Sequence, residues 1–405
     1  MTSDADVVAS RWISMLLVST LVVLSAVPMD VLLPSYPSLA IFFDVEVNKI
    51  SFSITVFTVG FSIAQLIVGP ISDRYGRKKC VVVGLLIALI GAMGCAFSER
   101  YIAFLSWRVV QSVGCACFVL AQAIVQDCYK GGAGIRARIY LTTLGGMAIA
   151  CSPLLGTVLE HVAGWRGSFF LFVCISLIAI FLAIRYFVET AASSVNTVGF
   201  YIGSYLKIWR NFPFLVYTIM GGMAFSSHFA FVIASPLLFM TEMKVGTYSY
   251  AWILLVYGGA YLFGGICAVK IAKRFSPAIQ IWAGLVLMIL SSMVMLISER
   301  TQGATVSSVL LAMLVCTAGA SIVRPATGTL AMDIFDDLAG TASAAGATIR
   351  FAMGGMFGAV VSLQGSAVSK NLAWMILASG VISVITFVIF NLWQRRCHIT
   401  LSSSK

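Results

Sequence analysis

Asp30 and Arg108 are charged residues set inside stretches of sequence otherwise too apolar to hold them. An isolated carboxylate in hydrocarbon is costly unless it faces a polar cavity, finds a partner or takes a proton. Asp30 sits near the middle of the first apolar run and is the only acid well inside any run. It is therefore the candidate proton carrier, loading from outside and releasing when a cavity opens inward; the alternative is a structural aspartate hydrogen-bonded to a neighbouring helix. Arg108, in the fourth run, demands a counter-charge or a polar cavity, and Asp30 or a polar neighbour is the natural partner. As relay or as structural brace, it belongs in a cavity.

Arg324, followed by Pro325 in the tenth run, and Arg350 in the eleventh are further intramembrane cations. Facing a cavity, they favour an anionic or carboxylate-bearing cargo. Near the inner end, Arg324 instead snorkels or pairs with Asp333, Asp336 or Asp337. His228 has no acid at a useful spacing and reads as a polar packing residue. Tyr36, Phe57, Phe61, Tyr217, Phe225, Tyr257 and Tyr261 are candidates to line an apolar binding pocket, against ordinary packing or lipid contact. A Walker loop, a GxSxG elbow and a paired Cys/His spacing are all missing from the sequence. Catalytic residues, metal ligands and a cofactor are therefore not expected, and the proton is the expected coupling ion.

These residues need helices to hold them. The 405 residues are 60% hydrophobic and 10% charged, with mean hydropathy +1.00. A soluble domain has about a quarter of its residues charged, so the chain is an integral membrane protein. A hydrocarbon core about 30 Å thick takes roughly 20 apolar residues of helix. Apolar length and Gly, Pro and charge punctuation predict twelve spans, near 12–37, 48–70, 80–97, 101–126, 137–161, 165–188, 213–240, 248–271, 277–297, 304–331, 340–363 and 371–393. The expected domains are an N-terminal six-helix bundle over 1–190, a cytoplasmic linker over 191–211 and a C-terminal six-helix bundle over 212–405.

Lys and Arg fall in alternate loops at roughly three to one, which predicts both termini in the cytoplasm. The net charge of +11 is spread over these loops and forms no continuous groove for nucleic acid. Most of the 10 cysteines lie within apolar runs and read as small core residues rather than disulfides. The first eleven residues carry no signal-peptide pattern, so the first run is expected to stay in the mature protein. Gly84-Leu85 and Ser98-Glu99-Arg100 recur as Gly284-Leu285 and Ser298-Glu299-Arg300, and Arg74-Tyr75 as Arg274-Phe275. Three matches at one offset predict two parallel six-helix repeats, an arrangement suited to alternating access.

The densest basic cluster, Gly69-Pro70-Ile71-Ser72-Asp73-Arg74-Tyr75-Gly76-Arg77-Lys78-Lys79, resembles the cytoplasmic signature loop of the major facilitator superfamily. Met29-Asp30-Val31-Leu32-Leu33-Pro34-Ser35-Tyr36-Pro37 is similar to the first-helix pattern of its bicyclomycin/chloramphenicol resistance subfamily of drug:proton antiporters, with Leu32 in place of a tyrosine. Arg108-Val109-Val110-Gln111-Ser112-Val113-Gly114 resembles the fourth-helix segment, Ser112 replacing a glycine. Gly145 to Gly156 resembles the antiporter motif of the fifth helix, with Ser152 before Pro153 where glycine is usual. Gly164-Trp165-Arg166-Gly167 and Gly340-Thr341-Ala342-Ser343-Ala344 are also similar to the subfamily.

The resemblance implies a twelve-helix fold in two pseudo-symmetric bundles and a proton relay of Asp30, Arg108 and Gln111. It implies that Asp73 meets the N-terminal end of the eleventh helix, whose dipole favours a carboxylate. Gly69 then permits close helix contact, and Arg74, Gly76, Arg77 and Lys78 belong to a network locking the halves; the simpler alternative is that the basic residues only set orientation. Pro153 kinks the fifth helix and Gly156 packs it closely, giving a pivot, against a merely tolerated proline. Multidrug efflux by a monomer in the bacterial inner membrane follows as the implied function, with a small-molecule substrate, protons and the lipid bilayer as partners. The alternatives are a proton-coupled carrier of an anionic metabolite or siderophore, and a non-transporting membrane sensor.

Overall fold

The computed structural model describes residues 4–129, 131–189, 198–272, 274–301, 303–335, 339–363 and 367–402. Side chains are described there except at 4–11, 73, 122, 126, 131–136, 138, 139, 142, 198–202, 269, 272, 339, 340, 362 and 395–402. Among these residues every regular element is helical, and twelve helical spans are long and apolar enough to cross a membrane, from Trp12–Phe43 to Val368–Gln394. Helix is the form such a chain must take, because hydrocarbon offers no hydrogen-bond partner and each backbone N–H must find a carbonyl within its own segment. All twelve expected spans are present. The protein is a multi-pass membrane protein.

The first span departs from a simple helix. Helix α1 (Asp4–Ala26) passes into a π-helical turn, Val27–Val31, then a 3₁₀ turn, Leu33–Ser35, and resumes as α2 (Tyr36–Phe43). Pro28 and Pro34 sit at the start of the two irregular turns. A proline has no N–H to give and its ring clashes with the preceding turn, and here each is accommodated by a local change of hydrogen-bond register. The span therefore runs past the expected end at 37 to Phe43.

Helices α3 (Val47–Tyr75), α4 (Arg77–Ala96), α5 (Tyr101–Cys115), α6 (Leu120–Cys128), α7 (Gly131–Ala163) and α8 (Arg166–Arg185) follow; a 3₁₀ turn, Ala116–Val119, joins α5 to α6. The polar interval expected as a linker contains a helix, α9 (Val198–Trp209). Then come α10 (Phe212–Ser235), a π segment Pro236–Glu242, α11 (Thr247–Ala272), α12 (Pro277–Thr301), α13 (Val306–Met332), α14 (Ala339–Leu363) and α15 (Val368–Ser402). The first helix of each sequence half thus gives way to a π turn beginning at or next to a proline.

By packing, the chain divides into two units. One comprises Met1–Tyr201 with Ser235–Leu262, the other Ile202–Ala234 with Phe263–Lys405. In the first, α4 packs along α5, and a Cβ on Gly114 would lie 2.1 Å from the Ala88 nitrogen and 2.6 Å from the Gly84 carbonyl oxygen. In the second, α12 packs along α13, and a Cβ on Gly319 would lie 2.6 Å from the Gly284 carbonyl oxygen. Gly84 and Gly284 are the repeated glycines of the sequence, so each unit contains the same backbone-to-backbone helix crossing. Small residues serve this purpose in membranes, where close packing replaces hydrophobic burial as the source of helix association.

Candidate functional site

In the first unit the irregular first span presents backbone as well as side chains to its neighbours. A π turn bonds i to i+5, so it holds one more residue than an α turn and shifts which group faces the adjacent helix. The group that meets Arg108 is the Pro28 carbonyl, which accepts a hydrogen bond from Arg108 Nη2 at 2.9 Å. Arg108 Nη1 donates to Gln111 Oε1 at 2.8 Å, one turn along α5. Its guanidinium carbon lies 4.5 Å from the ring centre of Phe57, which is stacked at 6.2 Å on Phe61. Arg108 is wholly buried. A main-chain dipole, an amide oxygen and an aromatic face together replace the water that the guanidinium has lost.

Asp30 lies in the same π turn, half-buried, and among the described residues it has no hydrogen-bond or ion-pair partner in the protein. Of the two partners open to Arg108 from the sequence, the structure supplies the polar neighbour and not the aspartate. Tyr36 is completely buried and lies within electrostatic range of both Asp30 and Arg108. Tyr250, on α11, is also within range of Asp30 and shares a 2.8 Å hydroxyl–hydroxyl hydrogen bond with Ser235. Tyr250 and Ser235 had no distinguishing signal in the sequence.

The π turn is seated on α7. A Cβ at Gly156 would fall 2.1 Å from the Val31 carbonyl oxygen and 3.1 Å from Pro34 Cδ, so only glycine allows this approach. Ser168 Oγ donates to the same Val31 oxygen at 3.4 Å. Helix α7 runs unbroken through Pro153, and Ser152, the residue that departs from the motif, donates to the Ala148 carbonyl at 2.6 Å. Further along, a Cβ at Gly258 of α11 would meet Ala150 Cα at 2.6 Å, which places Tyr257, buried, and Tyr261, half-buried, on a helix pressed against α7.

The signature turn joins α3 to α4 through Gly76 at φ 100°, a conformation that residues with a Cβ rarely adopt. The Glu189 carboxylate caps α4 here, accepting from the backbone nitrogens of Arg77 at 2.6 Å and Lys78 at 3.2 Å. This is the favourable place for an anion on a helix dipole. A Cβ at Gly76 would lie 2.2 Å from Glu189 Oε2, so a side chain there would displace the cap. Arg77 Nε pairs with Asp127 Oδ2 at 3.3 Å, Arg77 Nη1 donates to Ser72 Oγ, and Lys78 Nζ donates to the Ile184 carbonyl at 2.9 Å. Arg74 is exposed, with its guanidinium 5.2 Å from the Tyr75 ring centre. The side chain of Asp73 lies outside the described residues. Among the described residues a Cβ at Gly69 would meet nothing within 4 Å. Glu189 and Asp127 had no assigned role from sequence, although both are acids beside a basic turn.

In the second unit Arg324 and Arg350 line one cavity of about 160 Å³, with Phe214, Tyr217, Thr218 and Ser343 among its walls. Phe225 stacks on Phe229 at 5.2 Å and carries the Arg324 guanidinium 5.1 Å from its ring centre. Of the candidate aromatics, Phe57 and Phe61 stack beside Arg108, with Tyr36 in electrostatic range of it, Tyr257 and Tyr261 lie on α11, and Tyr217 and Phe225 belong to the second unit.

Comparison with known proteins places the sequence. It matches the Major Facilitator Superfamily over residues 18–359. It is 26% identical over 370 residues to a chloramphenicol resistance protein of Pseudomonas aeruginosa, covering 90% of this chain and 86% of that one. It is 22% identical over 377 residues to a bicyclomycin resistance protein homolog of Haemophilus influenzae, covering 91% and 94%. Among solved structures, the fold is similar to that of a D-xylose–proton symporter, with a TM-score of 0.76 at 15% identity over 93% of this chain and 97% of that one.

Proposed function

The chain belongs to the major facilitator superfamily, and on that premise we propose that it exports small amphipathic compounds in exchange for protons by alternating access. Relatives that span nearly its whole length are named for resistance to chloramphenicol and bicyclomycin, which supports drug efflux as the activity. The observation that carries proton coupling is Asp30, a half-buried carboxylate in the π turn of the first span, without a hydrogen-bond or ion-pair partner among the described residues. Buried ionisable groups inside membrane spans mark ion and proton pathways.

In this reading Asp30 takes a proton from the outer side and yields it to the cytoplasm, while Arg108 and Gln111 hold the π turn in shape. Arg108 keeps a fixed positive field beside the carboxylate without neutralising it, so the proton and an incoming compound can compete for the same surroundings. The signature turn, with Arg77, Lys78 and Gly76 tied to Asp127 and Glu189, is the rigid end of the first unit against which opening and closing are set. Asp73 and Gly69 act in the state that closes the cytoplasmic side, and Pro153 with Gly156 provides the pivot under the π turn. The protein works as a monomer in the bacterial inner membrane with both termini in the cytoplasm, an orientation that the Lys and Arg distribution supports.

The test is drug efflux in bacteria stripped of their own exporters, with chloramphenicol and bicyclomycin as probes. Expression should raise resistance and lower drug accumulation, and a protonophore should erase both effects. Unchanged accumulation across a broad drug panel, with normal membrane insertion, would overturn the reading.

A further inference from the structure

We propose that the cavity bounded by Arg324 and Arg350 is a binding site for an oxyanion group, a carboxylate or phosphate carried on an apolar body. The two arginines come from different helices, α13 and α14, and both lie within membrane-spanning segments. Charged side chains are rare there and ordinarily face an aqueous or ligand-filled space. Here both face the same one. A guanidinium carries five N–H donors, so each arginine can keep its contacts within the protein and still give a charge-assisted hydrogen bond to an anion in the cavity.

The rest of the wall suits such a group. Tyr217, Thr218 and Ser343 bring hydroxyls to the lining. Thr327 also lines it, but its hydroxyl donates to the backbone carbonyls of Val323 at 2.9 Å and Arg324 at 3.2 Å, so the donors left for an anion are the other three. The Arg324 guanidinium lies over the ring of Phe225, which itself packs on Phe229 at 5.2 Å and Phe351 at 5.1 Å, so the cation rests on an aromatic cluster. Such a fixed cation loses less on binding than a mobile one. The ring of Tyr217 packs edge-on to Phe390 and offers an apolar flank to the ligand body.

Volume decides what part of a ligand fits. A drug-sized site measures roughly 300–1,000 Å³, so a cavity of about 160 Å³ holds a head group and a small ring, not a whole drug. The inference deepens the transport reading, because it makes the anionic end of an amphipathic compound the part recognised by the second unit. The same head-group chemistry also occurs on anionic phospholipids.

Equilibrium binding to the purified full-length protein in phosphatidylcholine nanodiscs tests it, with benzoate and phenyl phosphate as probes and benzamide as the neutral match for benzoate. Benzoate should bind at least about tenfold more tightly than benzamide, as expected for one charged hydrogen bond. Arg324→Gln and Arg350→Gln should each remove that preference, while Asp30→Asn should keep it. Phosphatidylglycerol added to the nanodiscs should weaken benzoate binding if a lipid head group is the natural occupant, and leave it unchanged if a soluble compound is. Equal binding of benzoate and benzamide to the unaltered protein would overturn the proposal without recourse to any variant. Because Asp30→Asn tests coupling and the arginine variants test binding, failure of the transport reading and failure of this site give different results.

Discussion

Arg108 Nη2 donates to the carbonyl oxygen of Pro28 at 2.9 Å, tying a buried cation to the backbone of the π turn that carries Asp30. A charge and a helix irregularity thereby depend on each other. The π turn turns a carbonyl towards the guanidinium, and the guanidinium satisfies that carbonyl where water is scarce.

Asp30→Asn should preserve folding and remove coupling. The amide is nearly isosteric and cannot carry a proton between the two sides of the membrane. In proteoliposomes with an imposed pH gradient, drug-driven proton movement should drop to the level of empty vesicles while the variant still binds drug. Full proton movement in the variant would assign the carrier role to another group.

Arg108→Ala should destabilise the first unit by about 1–3 kcal/mol, since the Pro28 carbonyl and the Gln111 amide lose a buried donor. Arg108→Lys should recover only part of this. An ammonium keeps the charge but lacks the planar fork that reaches Pro28 and Gln111 together while lying over Phe57. Thermal unfolding of the purified variants in one detergent measures the order: native, then Lys, then Ala.

Gly156→Val should impair both stability and transport. Its Cβ would enter at 2.1 Å from the Val31 oxygen, so α7 or the π turn must move. Overpacking of this kind costs about 1–3 kcal/mol. A melting temperature equal to that of the native protein would show that the seat of the π turn is looser than its geometry.

Glu189→Ala should expose the first N–H groups of α4 and cost about 1 kcal/mol, the usual value of a lost helix cap. Glu189→Gln should lose the dipole term but keep an acceptor, and fall between the two. Drug efflux and melting temperature measured together would separate a structural cap, which moves only the second, from a part of the gate, which moves the first as well.

A fluorescent protein that matures only in the cytoplasm, fused after Lys405, should be bright, and an alkaline phosphatase fused there should be inactive. The reverse pattern would place the termini outside and overturn the orientation taken from the loop charges.

Composition and periodicity made the twelve spans legible, because the cost of an unpaired peptide group in hydrocarbon leaves a long apolar run little choice but helix. The repeated Gly84 and Gly284 were also legible, and in both units they lie where two backbones touch. The π turn was not. Pro28 and Pro34 signal a disturbance of the first span, but whether a proline yields a kink, a 3₁₀ turn or a π turn depends on what the neighbouring helices can satisfy.

What the sequence determined by itself is the set of properties that depend on local energetics and on motif order: a chain too apolar for water, twelve helices, an internal repeat and a place in the superfamily. What only the tertiary structure decided is which distant groups meet. Arg108 meets the Pro28 carbonyl and not the Asp30 carboxylate, Glu189 reaches across more than a hundred residues to cap α4, and Arg324 shares a cavity with Arg350. The reason is physical. Hydrocarbon fixes the helical state of each segment one at a time, whereas the partner of a buried charge is chosen by helix rotation and register, which only the packed bundle sets.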